Sequence, residues 1–368
     1  MRVGWDARIL VNGQLRGIGS YARHLLPALR ACRPDLELRL YVDEGTGQLA
    51  PAGFPVTRIG PDRGFRWQLW EQLGLPFHVY KDGCDVLHSP ANTTPPRCPV
   101  ARVVTLHDAM PFFDWDSNAD QLPYFRSTQR KAIARADAII TDSEYSRHDI
   151  CKVLQVDPAR VIVVPLAGSP EVRRPDESAV AAHLEALGVT SPFILGLGAT
   201  DKRKNTFGIL RAFAEFQHTS RDTSLVLTGI GPALRTTVLE EIARLQLQQQ
   251  RVHLLGFVEL QALSALYAAC DAFLFLSLYE GFGIPILDAM QCGAPLICST
   301  RTSCPEVAGD AAVLVNPEDP VEVAAAIVTI RSSGSDEKAE RRRRGEARAA
   351  AFSWQRTAEL TAAVYEGL

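Results

Sequence analysis

Short runs of apolar, often β-branched residues alternate along the chain with longer stretches in which apolar positions recur at helical spacing. This alternation is typical of βαβ units, in which helices join parallel strands. The first half therefore predicts a parallel sheet with helices between its strands. The strands are predicted at residues 3–7, 36–42, 86–88, 103–107, 138–141 and 161–164, and the helices notably at 20–31, 121–135 and 144–154.

A second series of the same kind follows a polar, proline-containing stretch at residues 167–178, which predicts a hinge or linker. Its strands are predicted at residues 193–197, 224–228, 252–255, 272–276, 296–299 and 313–315. With 368 residues the chain exceeds what one hydrophobic core usually organises, so we expect two α/β domains with a cleft between them. The charged, alanine-rich segment 333–350 predicts a solvated helix.

Composition narrows the possible functions. A net charge of −3 argues against a general nucleic-acid surface, which needs a basic excess. The first residues contain no apolar leader, and no run of about 18 apolar residues follows, so we expect a soluble, cytoplasmic protein. The eight cysteines lack CxxC pairs and zinc-ligand spacing, which argues against a disulfide framework or a metal site. Cys270, Cys292 and Cys298 lie in apolar segments and are expected to pack as small apolar side chains.

The densest chemical signal lies at residues 271–320. An apolar strand at 272–277 runs into the loop 278–283, and an amphipathic helix is predicted to begin near Ile284. Gly281 and Gly283 allow backbone N–H groups to approach a ligand closely, and the helix N-terminus favours a phosphate group. The segment therefore predicts a phosphate-binding loop.

This block resembles the donor site of the retaining glycosyltransferase family 4, whose members have the GT-B fold of two Rossmann-like domains facing across a cleft. The family carries two acidic residues separated by seven positions, and Glu280 and Asp288 stand there. The flanking GFGIP, CGAP and PEVAGDAAVLV segments follow in the family's order. The family usually has Glu at the second acidic position, so Asp288 is shorter by one methylene.

The resemblance implies a role for each position of the motif. Glu280 would contact hydroxyls of the donor sugar, and Asp288 would hold the ribose. The backbone of the intervening loop would hold the sugar and diphosphate, at Gly281, Phe282, Gly283 and Ile284.

Two further segments of the second half fit the same donor site. Residues 195–205 follow a predicted strand and open a helix, so Arg203 and Lys204 are expected to stabilise a leaving diphosphate without a metal ion. Many relatives carry Arg where this chain has Ala199, so Arg203 would supply the guanidinium. A solvated helix start remains the alternative interpretation of these cations. Segment 252–258 resembles the part of the family that lies beside the nucleotide base, through Phe257 and Val258.

The first half carries the complementary pieces. Gly17 and Gly19 precede a helix, and the turn is either a simple tight turn or, as the resemblance implies, one that closes over the donor phosphate and the acceptor. His107 lies at the carboxyl end of a predicted strand, where open α/β sheets bind ligands, and it resembles the family histidine that faces the donor sugar. Three further polar residues are expected to face the acceptor: Asp108, His88 and Asn92.

Other motifs favour structural roles. Ser303 and Glu306 fit a helix capping box, and Ser143 fits an N-cap. The aromatic and basic segment 63–71 predicts either a buried aromatic face with Arg at its edge or a contact with membrane or acceptor. The DWD sequence at 114–116 resembles a metal motif of a different glycosyltransferase fold, but it follows no donor-site strand, so we assign it no metal role.

Together these features predict a retaining hexosyltransferase that uses a nucleotide sugar as substrate and needs no cofactor. GDP-mannose is the favoured donor and a UDP-hexose the second, with a glycan, glycolipid or natural-product hydroxyl as acceptor. The predicted limits are an acceptor-side domain at 1–166, a linker region at 167–190, a donor domain at 191–350 and a final helix at 351–368 that crosses back to the first domain. The alternatives are a sugar-nucleotide 2-epimerase of the same fold and a catalytically decayed nucleotide-sugar-binding protein.

Overall fold

A computed structural model describes residues 1–10, 17–43, 51–60, 69–113 and 122–368, and side chains within this set except those of residues 122 and 124. The described residues fall into two compact units. Unit one contains the described residues up to Leu166 together with Ser353–Leu368, and unit two contains Ala167–Phe352. Each unit is built around its own parallel sheet.

Among the described residues, the sheet of unit one has seven strands in the order β3-β2-β1-β4-β5-β6-β7, and all neighbouring strands are parallel. They are β1 (Arg2–Asp6), β2 (Glu37–Val42), β3 (Val56–Arg58), β4 (Val86–Ser89), β5 (Ala101–Thr105), β6 (Ala138–Thr141) and β7 (Val161–Val163). The strand order reverses between β1 and β4, and this switch point is where open α/β sheets form a ligand crevice at their carboxyl ends.

The sheet of unit two has six parallel strands in the order β10-β9-β8-β11-β12-β13. They are β8 (Phe193–Leu197), β9 (Ser224–Thr228), β10 (Val252–Leu254), β11 (Ala272–Phe275), β12 (Leu296–Ser299) and β13 (Val313–Val315). The order reverses between β8 and β11, so unit two has the doubly wound strand order of a Rossmann fold. The central strands β11 and β12 are buried at every position, as expected of parallel strands covered on both faces.

The helices connect the strands as the alternating pattern predicts. In chain order they are α1 (Ile18–Cys32), α2 (Leu75–Lys81), α3 (Leu122–Arg135), α4 (Glu144–Leu154), α5 (Glu177–Ala186), α6 (Thr206–Phe216), α7 (Pro232–Arg244), α8 (Leu260–Ala269), α9 (Ile284–Gln291), α10 (Cys304–Ala308), α11 (Pro320–Ser332), α12 (Ser335–Ala350) and α13 (Trp354–Glu366). A π-helical turn at Trp70–Gly74 leads into α2, and a 3-10 turn at Lys202–Lys204 precedes α6.

The predicted fold class, α/β with two Rossmann-like domains, is confirmed. Every predicted strand is present to within two residues at each end, and α4 has the predicted limits. The strand β3 was not predicted, because its three residues lie at the sheet edge with little burial and carry no alternating pattern. The solvated helix predicted at 333–350 is α12, which buries Gly345 and Ala349 against α9.

The segment 167–190, expected to be a linker, is instead packed onto unit two. The Gln291 side-chain amide donates to the carbonyls of Ser169 (3.0 Å) and Val172 (2.7 Å). Arg174 donates to the carbonyl of Cys292 at 2.7 Å, and α5 packs against α8. These contacts place the segment within the core architecture of unit two.

Three predicted local details have different outcomes. Ser143 caps α4 by accepting a hydrogen bond from the Ser146 N–H at 3.0 Å, as predicted. The predicted capping box at Ser303 and Glu306 is wrong, because the Ser303 hydroxyl accepts no hydrogen bond from the helix N–H groups and lies against carbonyl oxygens of the preceding loop. All eight cysteines, which lie within the described residues, are free thiols, and the predicted burial of the apolar-segment cysteines is confirmed for Cys270, Cys292 and Cys298.

The final helix α13 packs against α1 within unit one. Its Tyr365 is 1% exposed, and the Tyr365 hydroxyl accepts a hydrogen bond from the Trp5 indole at 3.0 Å. The last helix therefore completes the core beneath β1.

Candidate active site

The principal cluster of charged side chains lies at the carboxyl edge of the unit two sheet, at its switch point. β8 and β11 are neighbours, with Ile194 opposite Ala272, so the loops that leave their carboxyl ends emerge side by side. The loop after β8 carries Arg203 and Lys204, and the loop after β11 carries Glu280. The topology alone brings these three residues together.

Glu280 is held between the two cations. Its Oε1 lies 2.6 Å from Lys204 Nζ, and its Oε2 lies 2.8 Å from Arg203 Nη1. The residue is only 7% exposed, and burial opposes its ionisation, but attraction to Lys204 and Arg203 lowers its pKa below the usual value. Glu280 is therefore a carboxylate at neutral pH.

Backbone contacts fix the two loops against each other. The Leu278 N–H donates to the Arg203 carbonyl at 2.7 Å. The Glu280 N–H donates to Thr302 Oγ1 at 3.1 Å, which adds the loop after β12. Ser303 Oγ lies 3.0 Å from the Glu280 carbonyl and 2.9 Å from that of Phe282, so its single proton is shared between them. The Glu280 backbone is thus positioned before any ligand binds.

The charges in this cluster balance. Asp201 Oδ2 accepts a hydrogen bond from Arg203 Nε at 2.6 Å, so two carboxylates, Asp201 and Glu280, face two cations, Arg203 and Lys204. An incoming diphosphate must therefore share Arg203 and Lys204 with these carboxylates. Both cations keep about a fifth of their side-chain surface exposed and remain reachable.

The glycine-rich loop leads directly into α9. Gly281, Phe282 and Gly283 are buried, and Gly283 adopts φ 105°, a conformation that side-chain-bearing residues rarely take. This turn starts α9 at Ile284, so the Ile284 N–H lies next to the Glu280 loop, whereas Pro285 has no N–H and the Ile286 N–H donates to the Gly283 carbonyl at 2.9 Å. The predicted tight glycine turn before a helix is present, and its binding of a phosphate stays a prediction.

Asp288 lies one helical turn further along α9 and is already engaged. Its Oδ1 accepts the Ser169 N–H at 2.6 Å, and its Oδ2 lies 3.1 Å from Ser169 Oγ. Gly168 lies close to the Gln291 side chain, and a Cβ there would lie 2.0 Å from Gln291 Oε1, so this side chain would have to shift. Burial raises the pKa of Asp288 to about 7, although the hydrogen bonds from Ser169 oppose the shift. Any ribose contact by Asp288 would compete with Ser169.

The predicted base-side residues follow β10 at the edge of the same sheet. Phe257 is 51% exposed, whereas Val258 is 8% exposed. The Gly256 carbonyl accepts the Gly229 N–H at 2.8 Å, which ties this segment to the loop after β9. Phe257 therefore presents an aromatic surface at the carboxyl edge, and Val258 belongs to the core.

In unit one, His107 has acceptors on both ring nitrogens. Nδ1 lies 2.7 Å from Asp142 Oδ2, and Nε2 lies 3.0 Å from the Pro90 carbonyl. Asn92, in a left-handed conformation with φ 62°, accepts the His107 N–H through Oδ1 at 3.1 Å. Although burial disfavours the charge, Asp142 raises the pKa of His107. Both ring nitrogens of His107 thus face acceptors, an arrangement that orients the ring and favours its protonated form.

His88 was expected to face the acceptor, and this expectation is wrong. Its side chain is completely buried, with Nδ1 2.5 Å from Tyr365 Oη and Nε2 2.7 Å from Thr105 Oγ1. Burial lowers its pKa to about 3, so it stays neutral. Tyr21 Oη lies 3.1 Å from Thr105 Oγ1, and the Tyr21 ring packs edge-on against His107 at 5.0 Å. His88 therefore belongs to a buried polar network behind His107.

The remaining unit one predictions lie at loop starts. Gly17 is exposed with φ 56° and begins α1, and Gly19 is buried in its first turn. Asp108 Oδ1 accepts the Met110 N–H at 2.9 Å and so supports the short turn after β5. The contacts of these residues with a ligand stay predictions.

The structure bears on part of segment 63–71, for which the sequence left open a buried aromatic face or a contact with membrane or acceptor. Residues 63–68 lie outside the described residues, as does the DWD sequence at 114–116. Trp70 is 2% exposed, and the guanidinium of Arg8 stacks over its ring at 3.8 Å. Trp70 therefore forms a buried aromatic face with an arginine at its edge, but the arginine comes from the loop after β1. Within the described ranges, no group of three His, Cys, Asp or Glu side chains could hold a metal ion.

Sequence reasoning missed several residues that support the site. Asp142, Ser169 and Thr302 hold His107, Asp288 and the Glu280 backbone respectively. Asp142 directly follows β6, the neighbour of β5, so the carboxyl-edge rule could have placed it beside His107. Ser169 and Thr302 carry no comparable signal, because their partners lie far away in sequence.

This fold and site define a sugar-transferring enzyme with Rossmann-like units, and relatives agree. A family model described as Glycosyltransferase Family 4 matches residues 15–167, and one described as Glycosyl transferases group 1 matches residues 191–333. The chain is 32% identical to O-antigen chain mannosyltransferase B of Escherichia coli over 96% of both chains. The chain belongs to glycosyltransferase family 4, and the predicted function of a hexosyltransferase is confirmed.

Two further similarities extend this result. The chain is 30% identical to the serotype-specific mannosyltransferase WbdA of Escherichia coli over 71% of its own length, and the match spans 33% of that longer protein. The crystal structure of Anabaena HepE in complex with UDP-glucose matches with a TM-score of 0.75 and 19% identity over 100% of both chains, which supports the GT-B fold. In the described parts of the chain, no helix is long and apolar enough to cross a membrane.

Proposed function

We propose that this protein transfers a mannosyl residue from GDP-mannose to a sugar hydroxyl of a growing glycan, with retention at the anomeric carbon. The choice of mannose is supported by the similarity over nearly the full length to a protein named as an O-antigen chain mannosyltransferase. A nucleotide sugar as donor is supported by the similarity to HepE, whose structure holds UDP-glucose. We infer retention at the anomeric carbon from the chain's membership of the family.

The observation that carries the proposed chemistry is the placement of Glu280 between Lys204 and Arg203 beside the start of α9. Positive charge develops at the anomeric carbon and negative charge on the departing phosphate as the glycosidic bond breaks. The Glu280 carboxylate accepts hydrogen bonds from the donor sugar, while the two cations, the Ile284 N–H and the positive end of the α9 dipole stabilise the departing diphosphate. Each charge that develops in the transition state thus meets a group of the opposite charge in the site.

The proton of the acceptor hydroxyl passes to the leaving phosphate in this proposal, as oxygen attacks the face from which the phosphate departs. The atoms balance, because the glycosidic bond to phosphate breaks, a new glycosidic bond forms, and GDP leaves with the proton. His107 is an unsuitable base, because both its ring nitrogens already face acceptors. We infer that it contributes fixed positive charge and orientation instead.

The donor is tested by combining binding with turnover. GDP should raise the melting temperature more than UDP or dTDP at equal concentration, because selective binding stabilises the folded state by mass action. GDP-mannose with a mannoside acceptor should release GDP and form a new α-linked product. Release of UDP from a UDP-hexose at a higher kcat/KM would overturn the choice of donor. Conversion of UDP-GlcNAc to UDP-ManNAc would instead support the epimerase.

Transfer should continue in the presence of EDTA. A diphosphate shares Lys204 and Arg203 with Glu280 and Asp201, and the Ile284 N–H and the dipole of α9 add a donor and positive potential, so we expect these groups to bind it without a divalent cation. The measurement is the initial rate of GDP release with excess chelator, compared with the rate at added Mg²⁺. Loss of activity in EDTA that Mg²⁺ or Mn²⁺ restores would contradict this prediction.

A further inference from the structure

A second cluster of buried charges lies in unit one, at the switch point between β1 and β4. Asp6 is the last residue of β1, Arg8 follows two positions later, and Thr93 follows β4. Glu71 reaches the same place from the π-helical turn that precedes α2. This is the position at which open α/β sheets bind ligands, and π-helical turns are frequent at functional sites.

Within this cluster, Arg8 is committed to Asp6. Arg8 Nε lies 2.8 Å from Asp6 Oδ1 and Arg8 Nη2 lies 2.5 Å from Asp6 Oδ2, a two-pronged pair in which both residues are nearly fully buried. Trp70 packs against the guanidinium plane at 3.8 Å. The Asp6 and Arg8 pair is therefore a rigid, charge-balanced support.

Glu71, in contrast, is incompletely satisfied. Its Oε2 meets Arg8 Nη2 and Thr93 Oγ1, both at 3.4 Å, and its Oε1 has no hydrogen-bond partner among the described residues. Its side chain is 12% exposed. Oε1 is not among the buried polar atoms that lack a partner, so solvent reaches it, and the hydroxyl of a bound molecule can take the place of water there.

The charges of the cluster select the kind of ligand. Among the residues that the structure describes, Asp6 and Arg8 cancel, so an ionised Glu71 leaves one negative charge in this cluster. Phosphates would be repelled, whereas neighbouring sugar hydroxyls can each donate to a carboxylate oxygen. Thr93 also follows Asn92, which holds the His107 backbone, so the cluster adjoins the His107 loop along the same sheet edge.

We propose that Glu71, positioned by the Asp6 and Arg8 pair, binds hydroxyl groups of the neutral acceptor sugar and so determines acceptor recognition. This inference rests on the proposed function, because an acceptor sugar presupposes a transferase. Glu71 receives hydroxyl hydrogen bonds on Oε1 and remains oriented through Oε2. Burial raises the pKa of Glu71 although Arg8 opposes the shift, so a bound hydroxyl donor would supply stabilisation that its ionised form lacks.

The variant Glu71→Gln tests this role because it keeps the shape of the side chain and removes its charge. We expect kcat/KM for a mannoside acceptor to fall by about 10- to 100-fold, the loss of a hydrogen bond to a charged group, mainly through acceptor KM. The KM for GDP-mannose and the rate of its hydrolysis without acceptor should stay unchanged. Glu71→Asp, which restores the charge, should recover part of the loss.

Glu37→Gln is the matched control. Glu37 pairs with Arg2 at 2.8 Å in the same unit, but at the start of β2, at the opposite edge of the sheet. Its removal should leave acceptor KM unchanged. The inference fails if Glu71→Gln leaves acceptor KM unchanged, or if it lowers donor hydrolysis and acceptor use equally, as general destabilisation would.

A binding measurement separates this inference from the proposed function. Saturation-transfer NMR with methyl α-mannoside, in the absence of donor, reports acceptor binding even if GDP-mannose is never turned over. Binding to the wild type that Glu71→Gln abolishes supports the site whatever the donor is. Equal signals from wild type and Glu71→Gln, or no signal from the wild type at saturating sugar, overturn it.

Discussion

Replacing Glu280 with glutamine is expected to lower kcat for mannosyl transfer by about 100- to 1,000-fold, the usual loss when one preorganised electrostatic contact is removed. Glutamine keeps the size of the side chain but cannot balance the charges of Lys204 and Arg203. Its contact with the sugar strengthens as charge develops at the anomeric carbon, so the loss should appear in kcat and not in nucleotide binding. Steady-state transfer kinetics, beside calorimetry with free GDP, measure both quantities.

Two controls test whether a loss of kcat is specific to the Glu280 side chain and not due to unfolding. Glu318→Gln removes another carboxylate of unit two, which pairs with Arg301 at 2.7 Å on the surface, and should have no effect on kcat. Removing one member of a buried ion pair also destabilises a fold, by about 3–5 kcal/mol, so urea unfolding of Glu280→Gln must show that the variant is folded under assay conditions. A folded Glu280→Gln that loses GDP affinity while keeping kcat would reverse the assigned role.

The strands could be predicted from sequence because parallel strands covered on both faces are short, continuous apolar runs. The six strands of unit two were placed almost to the residue for this reason. β3 was not predicted, because an edge strand needs little burial and its residues Val56–Arg58 are mostly exposed. The packing of segment 167–190 onto unit two was not predicted either, since it depends on Gln291 and Cys292, which lie over a hundred residues away.

The two histidines of unit one show where sequence reasoning about the site ends. His88 and His107 both lie at carboxyl ends of neighbouring strands or just beyond them, and the same rule applied to both. The surroundings of the two histidines differ, because Tyr365, which lies 277 residues after His88, covers the His88 ring and shares a hydrogen bond with its Nδ1. Only the packing of the final helix distinguishes a core histidine from one at the sheet edge.

The motif residues of unit two were more predictable, because their positions follow from the topology. The switch point places the loops after β8 and β11 together, so the association of Glu280 with Arg203 and Lys204 follows once the strands are assigned. The charge balance supplied by Asp201 could not be predicted, because it depends on the conformation of a single turn. The shorter Asp288 gains a structural explanation, since Ser169 occupies the space beside its carboxylate.

The variant Asp288→Asn is expected to be more stable than the wild type at pH 8 and equally stable below about pH 3. The pKa of Asp288 is raised from 3.8 to about 7 by burial, so the folded state binds more protons than the unfolded state between these values. The free energy of unfolding therefore falls as pH rises from about 4 to 7, and the loss is complete above the folded pKa. Three pKa units correspond to at most about 4 kcal/mol.

Asparagine removes this penalty without removing the contacts. Its Oδ1 can still accept the Ser169 N–H, and its Nδ2 can donate to Ser169 Oγ, so the geometry at α9 is retained. Urea unfolding of both proteins at about pH 3, 4.5, 6 and 8 should show two curves that coincide at the lowest pH and separate as the pH rises. The same variant should weaken GDP binding by roughly 1–2 kcal/mol if the carboxylate also holds the ribose, because one hydrogen bond to a charged group is lost.

Asp176→Asn provides a control of opposite sign. Asp176 caps α5, where it accepts the Ala179 N–H at 2.8 Å and the Ser178 hydroxyl at 2.7 Å, and these contacts lower its pKa. A lowered pKa stabilises the fold above the unfolded pKa, so Asp176→Asn should be less stable than the wild type at pH 8, and the difference should shrink in acid. If Asp288→Asn behaves like Asp176→Asn, with its stability reduced at pH 8, the carboxylate of Asp288 is ionised in the folded protein and stabilises it through Ser169.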